Sequence, residues 1–395
     1  MADPLRIAFV APFGLGQKTT VWARTLPLAR ALAAQGHQAT VLIPPWDTAA
    51  DAGQCWVDHG VAVKNVATAG GPAAILARLL AELRQFPADV IHIVKPRAYA
   101  GLVQWWLWQA QRLRPAPYRL VLDVDDWEQA WAEVNSYPRL LARFLAWQEE
   151  WGLRHAAGIT AASQWLVARA GEYAPHTPVL YLPNGVDFDA PLPPEQEAGA
   201  AAGRRVLFFS RFVEVSPDWL ADFWLALSSR HQAAILVVAG KALQPAREAA
   251  YSAALRRAAP AAWPRVQWLG YVQPHRLADL YASADCAIFP AANTPLHQAK
   301  CSVRLATTLL HGVPVVASAV GEQAAYGAAG AARLVPAAAT PAEFAEAVSQ
   351  VLGAPIDRSQ MRLAARQRLR QHYEWADLGW RLNDFYTKIL GGGGK

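Results

Sequence analysis

The stretch "AKCSVRLATTLLHGVPVVAS" (299–318) reads as a helix, a break at Gly312 and a buried strand. A helix running through glycine into a near-continuous apolar strand is the repeating unit of a parallel α/β sheet covered on both faces. Lys300 and Arg304 stand four residues apart in the first turns of the predicted helix. The N-terminal end of a helix is already partly positive, so cations there are unfavourable on their own. Their presence points to an anion bound at that end.

The same unit recurs on either side. Strands are predicted at 6–11, 38–43, 90–94, 119–124, 158–160 and 178–182, with helices between them such as 19–35, 72–85, 98–113 and 138–155. A Pro/Ala/Glu/Gly-rich segment without periodicity, 189–204, reads as a linker. The alternation then restarts, with strands at 205–210, 233–240, 265–270, 286–290, 313–318 and 332–336. Helices are predicted near 217–228, 245–258, 274–284, 299–311 and 341–352, and two more close the chain at 358–372 and 375–390. The fold class is therefore α/β, with two tandem Rossmann-like doubly wound domains, 1–188 and 205–372. Ligands of such sheets bind beyond the carboxyl ends of the strands, so the expected site is a cleft between the domains.

The chain has 395 residues, which suits two domains of about 150–200 residues each. It is 53% hydrophobic and 17% charged, which excludes a disordered chain. A net charge of +6 suits phosphates or an anionic membrane surface, but without a basic stripe it does not suit nucleic acid. Three scattered cysteines, Cys55, Cys286 and Cys301, read as reduced thiols of a cytoplasmic protein. The first residues lack a signal-peptide pattern, and no apolar run is long enough to span a membrane.

Several motifs carry candidate chemistry. "VAPFGLGQKTT" (10–20) turns from strand to helix through Gly14 and Gly16. Its spacing is neither a P-loop nor a G-x-G-x-x-G, and a plain strand–helix turn is the alternative. "VLDVDDWE" (121–128) gathers Asp123, Asp125 and Asp126 at a strand end. Carboxylates there require a cleft, a partner, a metal or a helix to cap. "ADVIHIVKPRAYAG" (88–101) brings His92, Lys95 and Arg97 to another strand end, with His92 also readable as a structural histidine. "QWWLWQAQRLRP" (104–115) carries Trp105, Trp106 and Trp108 followed by Arg112 and Arg114, either a membrane-interface helix or core packing. "FFSRFVEVSPDW" (208–219) delivers Arg211 just past a strand, ahead of a helix, where it suits a phosphate.

In order and spacing these pieces resemble the GT-B nucleotide-sugar glycosyltransferases, most closely glycosyltransferase family 4. The resemblance is carried by "LARALAAQGHQATVL" (28–42), "ADVIHI" (88–93), "GITAASQWL" (158–166), "LPNGVDFD" (182–189), "VQWLGYVQPHRLADLYASADCAIFP" (266–290) and "HGVPVVAS" (311–318), and covers nearly the whole chain. It implies a retaining, metal-independent sugar transfer without a cofactor. The donor, a UDP-, GDP- or ADP-sugar, would be held by the second domain. The acceptor, a carbohydrate or lipid-linked molecule, would be held by the first, with the 375–390 helix packing back on it. The resemblance suits assembly of a polysaccharide or glycoconjugate in the cytoplasm, with weak peripheral contact at the inner face of the membrane.

Two departures stand out. The family has a lysine five residues after the arginine matched by Arg211, and Ser216 stands there. Its Glu-x7-Glu motif falls on Ala299 and Thr307. A rewired site would place Arg211 and Lys300 on the donor phosphates, aided by Gly14, Gly16, Gly240, Lys241, Ser302 and Arg304. Thr307 would lie near the ribose, Tyr271 and Val272 near the base, Asp125 and Asp126 at the reacting centre, and His92 and Lys95 on the acceptor side. The alternative is a decayed donor site in a pseudoenzyme or a sugar-nucleotide-binding partner subunit. A sugar-nucleotide epimerase and an NAD-dependent oxidoreductase fit less well, the latter because the first glycine loop lacks its fingerprint.

Overall fold

A computed structural model of the chain describes residues 3–16, 20–188, 204–242 and 244–391. The predicted linker lies, but for its last residue, outside the described residues. The chain divides into two units: one of Met1–Gly185, Ala299–Cys301 and Tyr373–Lys395, the other of Val186–Gln298 and Ser302–His372.

The first unit begins with β1 (Arg6–Val10), a turn of π-helix at Val21–Thr25 that runs into α1 (Leu26–Ala34), and β2 (Gln38–Ile43). A hairpin of β3 (Cys55–Asp58) and β4 (Val61–Asn65) follows, then α2 (Gly71–Gln85), β5 (Val90–Val94) and α3 (Ala98–Leu113). Next come β6 (Arg119–Val124), α4 (Glu128–Val134), α5 (Arg139–Arg154), β7 (Gly158–Ala161), α6 (Gln164–Tyr173) and β8 (Val179–Tyr181). The sheet order is β3-β4-β2-β1-β5-β6-β7-β8, parallel except where β3 meets β4. The central strands are buried after their first residue or throughout, which is why they read as near-continuous apolar runs. The edge hairpin alternates instead; its pattern was too short and polar to be read as strands in the sequence.

The second unit contains β9 (Arg205–Phe209), α7 (Pro217–Arg230), β10 (Ile235–Ala239), α8 (Pro245–Ala258), β11 (Val266–Gly270), α9 (Leu277–Ala282) and β12 (Cys286–Phe289). It continues with α10 (Pro295–Ala299), α11 (Val303–Leu310), β13 (Val315–Ser318), α12 (Gly321–Gly327), β14 (Arg333–Val335), α13 (Pro341–Gly353) and α14 (Pro355–His372). Its six strands are all parallel, in the order β11-β10-β9-β12-β13-β14. The final helix, α15 (Trp375–Gly391), places Leu378, Leu382, Phe385, Tyr386 and Ile389 in the core of the first unit beside β1 and β2.

The helix predicted over 299–311 is broken. Helix α11 starts at Val303, because the Leu305 amide donates to Ser302 Oγ at 3.3 Å and makes Ser302 its N-cap. Lys300 precedes that helix instead of lying in its first turn. The three residues Ala299–Cys301 belong to the first unit, where Ala299 is fully buried in an apolar cluster. Asn184 holds them, its amide donating to Cys301 Sγ at 3.2 Å and its side chain to the Cys301 carbonyl at 2.8 Å.

Candidate active site

Each sheet has one place where its winding reverses. In the first unit it lies between β1 and β5, in the second between β9 and β12. Loops leaving the carboxyl ends of these strands diverge and leave a crevice, the usual ligand position of a doubly wound sheet.

In the first unit the loop after β1 carries Gly14 and Gly16. The Gly14 amide donates to Asp47 Oδ1 at 2.7 Å. The loop after β5 carries Lys95 and Ala98, both at positive φ (62° and 49°). These conformations turn the backbone so that the Lys95 ammonium enters a buried cluster of carboxylates. It lies 2.8 Å from Asp125, 2.9 Å from Asp126 and 3.3 Å from Glu128. Arg97 pairs with the other oxygen of Glu128 and donates to the Tyr137 hydroxyl at 2.8 Å. Burial opposes the Lys95 charge, but the three carboxylates outweigh it and hold its pKa well above the ordinary lysine range.

The aspartates after β6 divide the work. Asp123 accepts two hydrogen bonds from Arg24, at 2.6 and 2.8 Å, and one from Thr160 at 2.6 Å. Arg24 also donates to Asn184 at 3.1 Å. Asp125 accepts from Thr20 Oγ1 at 3.1 Å as well as pairing with Lys95. Burial, with the Asp126 and Asp123 charges, pushes Asp125 up to about 6 against the pull of Lys95. Asp126 goes the other way: burial would raise it, but Lys95 and, more weakly, Lys300 hold it below the usual carboxylate range. The cluster is thus compensated by Arg24 and Lys95. Among the described residues no group of three or more His, Cys, Asp or Glu is arranged to hold a metal.

His92 sits inside β5. It is 1% exposed, stacks on Phe9 and hydrogen-bonds to the Tyr386 hydroxyl at 2.5 Å. Burial lowers its pKa to about 4, so it is a neutral core histidine with no face toward an acceptor. Its expected place on the acceptor side is corrected accordingly.

In the second unit the loop after β9 holds Ser210, Arg211 and Glu214. Ser210 Oγ donates to Glu214 and accepts from the Phe212 amide at 2.7 Å. Arg304, in the first turn of α11, donates to Glu214 Oε1 at 3.1 Å and to the Phe209 carbonyl at 3.3 Å. The cation that opposes the helix dipole therefore meets a carboxylate of its own unit. Ser216, at the family's lysine position, N-caps α7 by accepting from the Trp219 amide at 3.1 Å. Thr307 Oγ1 donates back to the Val303 carbonyl at 2.9 Å.

Gly240 follows β10 at a φ of 113°, and a Cβ there would lie 1.9 Å from the Ser210 carbonyl oxygen. Glycine is required for β9 and β10 to end side by side. Lys241 and Tyr271 are exposed, and Val272 is half-buried. The structure brings Lys95, Asp125 and Asp126 together in the first unit, and in the second it ties Arg304 to the loop after β9 that carries Arg211. Lys300 belongs to the first unit and Arg304 to the second. Sequence reasoning missed Arg24, Glu128, Glu149 and Glu214. Arg24 and Glu214 each have apolar neighbours in sequence, a setting in which a buried charge needs a partner.

Residues 19–185 match the family described as glycosyl transferase 4-like domain, and residues 203–354 match glycosyl transferases group 1. No curated protein sequence matches the chain. Among solved structures, sucrose-phosphate synthase from Thermosynechococcus elongatus is 16% identical with a TM-score of 0.75, over 98% of this chain and 99% of its own. HepE from Anabaena, solved with UDP-glucose, is 18% identical with a TM-score of 0.67, over 97% of this chain and 100% of its own. The trehalose 6-phosphate synthase of Burkholderia multivorans is 13% identical with a TM-score of 0.67, over 99% and 98%. These structures share the fold, and the two family matches, one in each half, add the family. The chain belongs to the GT-B glycosyltransferases of the family 4 type.

Proposed function

We propose that this glycosyltransferase moves a sugar from a nucleotide diphosphate donor to a glycan or lipid-linked acceptor, with retention of anomeric configuration and without a metal. The second unit holds the donor and the first the acceptor. The observation that carries the reading is Arg211 at the switch point of the second sheet. Breaking the anomeric C–O bond leaves negative charge on the departing diphosphate, and a preorganised cation is what that step needs. Lys300 is the second proposed cation. Helix α11 adds amide donors at its Ser302-capped end, while Arg304 shapes the loop through Glu214.

Asp125, held near pH 6, and Asp126 orient the acceptor hydroxyl, with Lys95 fixing both carboxylates. Thr307 neighbours the ribose, and Tyr271 and Val272 the base. Metal independence is supported by the engagement of all three aspartates with Arg24 or Lys95. UDP is the first nucleotide to try, because HepE was solved with UDP and with UDP-glucose. The proposed setting is cytoplasmic assembly of a polysaccharide or glycoconjugate.

A thermal-shift screen against UDP, GDP, ADP and CMP, each with its sugars, tests donor binding. A ligand at ~100 times its Kd stabilises the protein by about 2.7 kcal/mol. No shift with any nucleotide would overturn the donor-binding reading and favour the pseudoenzyme one. Loss of turnover in EDTA would overturn metal independence, and an inverted anomer by NMR would overturn retention.

A further inference from the structure

The amino-terminal edge of the second sheet lies opposite the edge that carries Arg211. Arg204 immediately precedes β9, Asp285 immediately precedes β12, and these two strands are neighbours. Asp285 Oδ2 accepts from the Arg205 amide at 2.8 Å. Its other oxygen, Oδ1, lies 3.4 Å from Arg204 Nη1 and 3.9 Å from Arg358 Nη1 of α14. Two guanidinium groups thus share one carboxylate oxygen.

Arg358 is 7% exposed. Buried cations in folded proteins are paired and hydrogen-bonded. Among the described residues the carboxylate paired with Arg358 is Asp285, at a distance too long for a hydrogen bond. Arg362 stands one turn further along α14, and its Nε is shielded from solvent with no hydrogen-bond partner among the described residues. A Cβ added to Gly312 would lie 3.8 Å from Arg362 Cγ, which sets the Arg362 stem at the carboxyl end of α11, away from the Ser302 cap. Like charges one helical turn apart repel, and Arg204 adds a third. Burial and the Arg204 charge lower the Arg358 pKa against the pull of Asp285, and Arg362 lowers it further. Three guanidinium groups therefore meet one carboxylate, which leaves two positive charges without a counter-ion from the unit.

We propose that Arg204, Arg358 and Arg362 bind the phosphate group of a small soluble molecule, either inorganic phosphate or a phosphate monoester. A phosphate monoester carries a charge of about −1.5 to −2 near neutral pH, which matches the local excess. Guanidinium forks fit its oxygens better than a point charge would. Arg204 is the accessible member, with a side chain 36% exposed, and Arg358 is the shielded one. A compact anion can reach the shielded cation, whereas the rigid backbone of a nucleic acid duplex cannot. The site stands apart from the donor reading, because it lies at the other end of the strands from Arg211.

The test is isothermal titration of the full chain with inorganic phosphate and with glycerol 3-phosphate, at an ionic strength held constant with sodium chloride. Saturable binding is expected in the wild type and is expected to survive in R211A. It should weaken by roughly tenfold or more in R204Q/R362Q and in R358Q, the effect of removing charged donors. An unchanged or higher melting temperature without ligand will show that R204Q/R362Q folds. Phosphate also stabilises proteins by exclusion from their surface. That contribution is common to wild type and variant, so the phosphate-induced rise in melting temperature should be larger in the wild type. The probe that binds more tightly identifies the free ion or the monoester as the ligand class. No saturable binding in the wild type, or equal binding in R204Q/R362Q, overturns the proposal. Loss of binding in R211A with normal binding in R204Q/R362Q overturns it too, since the phosphate would then sit in the donor site.

Discussion

Arg304 and Glu214 are partners: the guanidinium in the first turn of α11 lies 3.1 Å from a carboxylate in the loop after β9. Both side chains are largely shielded, at 20% and 10% exposure. The pair ties the first turn of α11 to the loop that carries Arg211. Glu214→Gln leaves Arg304 against the helix dipole with a weaker acceptor. We expect a loss of about 1–3 kcal/mol in denaturant unfolding, less than for a fully buried pair. Arg304→Gln in the same background is expected to recover part of that loss, which a double-mutant cycle measures.

Arg211→Ala is the complementary substitution. If Arg211 meets the leaving diphosphate, turnover falls by roughly 10²–10³. The nucleotide-induced rise in melting temperature, measured from the variant's own baseline, should shrink. An unchanged turnover with normal folding would remove Arg211 from the donor site.

Lys95→Met strips the cation from Asp125, Asp126 and Glu128. Breaking a buried ion cluster on one side typically costs about 3–5 kcal/mol. Without Lys95 the carboxylates bind protons more readily in the folded state than unfolded. The variant should therefore gain relative stability as pH falls from 7 toward 5, and unfolding curves across that range will show it.

Glu149 gives a second pH signature. Burial, with the nearby Glu128 charge, raises its pKa to about 8, from 4.5 for an unperturbed glutamate. The folded protein thus holds a proton that the unfolded chain has released between those values. The Glu149 contribution makes stability fall as pH rises through that window, with a slope of at most about 1.4 kcal/mol per unit. Glu149→Gln should flatten the profile between pH 5 and 8.

Gly240→Ala is expected to be destabilising by more than about 2 kcal/mol, since no rotation relieves a Cβ set against a backbone oxygen. Loss of soluble yield or a lowered denaturation midpoint will register it.

The strands were readable because central strands of a parallel sheet are buried on both faces. Residues 38–43, 90–94 and 119–124 carry the same bounds in sequence and structure. The β3–β4 hairpin was not, since an exposed edge lacks that unbroken apolar signal. Around the site, Arg211 and the Asp125–Asp126 pair were visible as charges at strand ends. The partition of charge was not visible. Whether Arg304 faces a ligand or Glu214, and whether Lys95 faces an acceptor or three carboxylates, depends on contacts 30–90 residues away in sequence. The 299–311 helix misled for a related reason: Ser302 caps α11 locally, but Asn184 and the burial of Ala299 fix the residues before it.

The return of α15 to the first unit bears on how the chain is made. Ile389 and Phe385 press against Gly158, where a Cβ would lie 2.2 Å from the Ile389 side chain. Residues that complete this packing leave the ribosome nearly two hundred positions after Gly185. At roughly 5–20 residues per second, the first sheet waits on the order of 10–40 s with the α15 side of its core uncovered. The second unit's own last helix, α14, ends at His372, so all of that unit is made before α15. The half that is synthesised first is thus the half that finishes folding last.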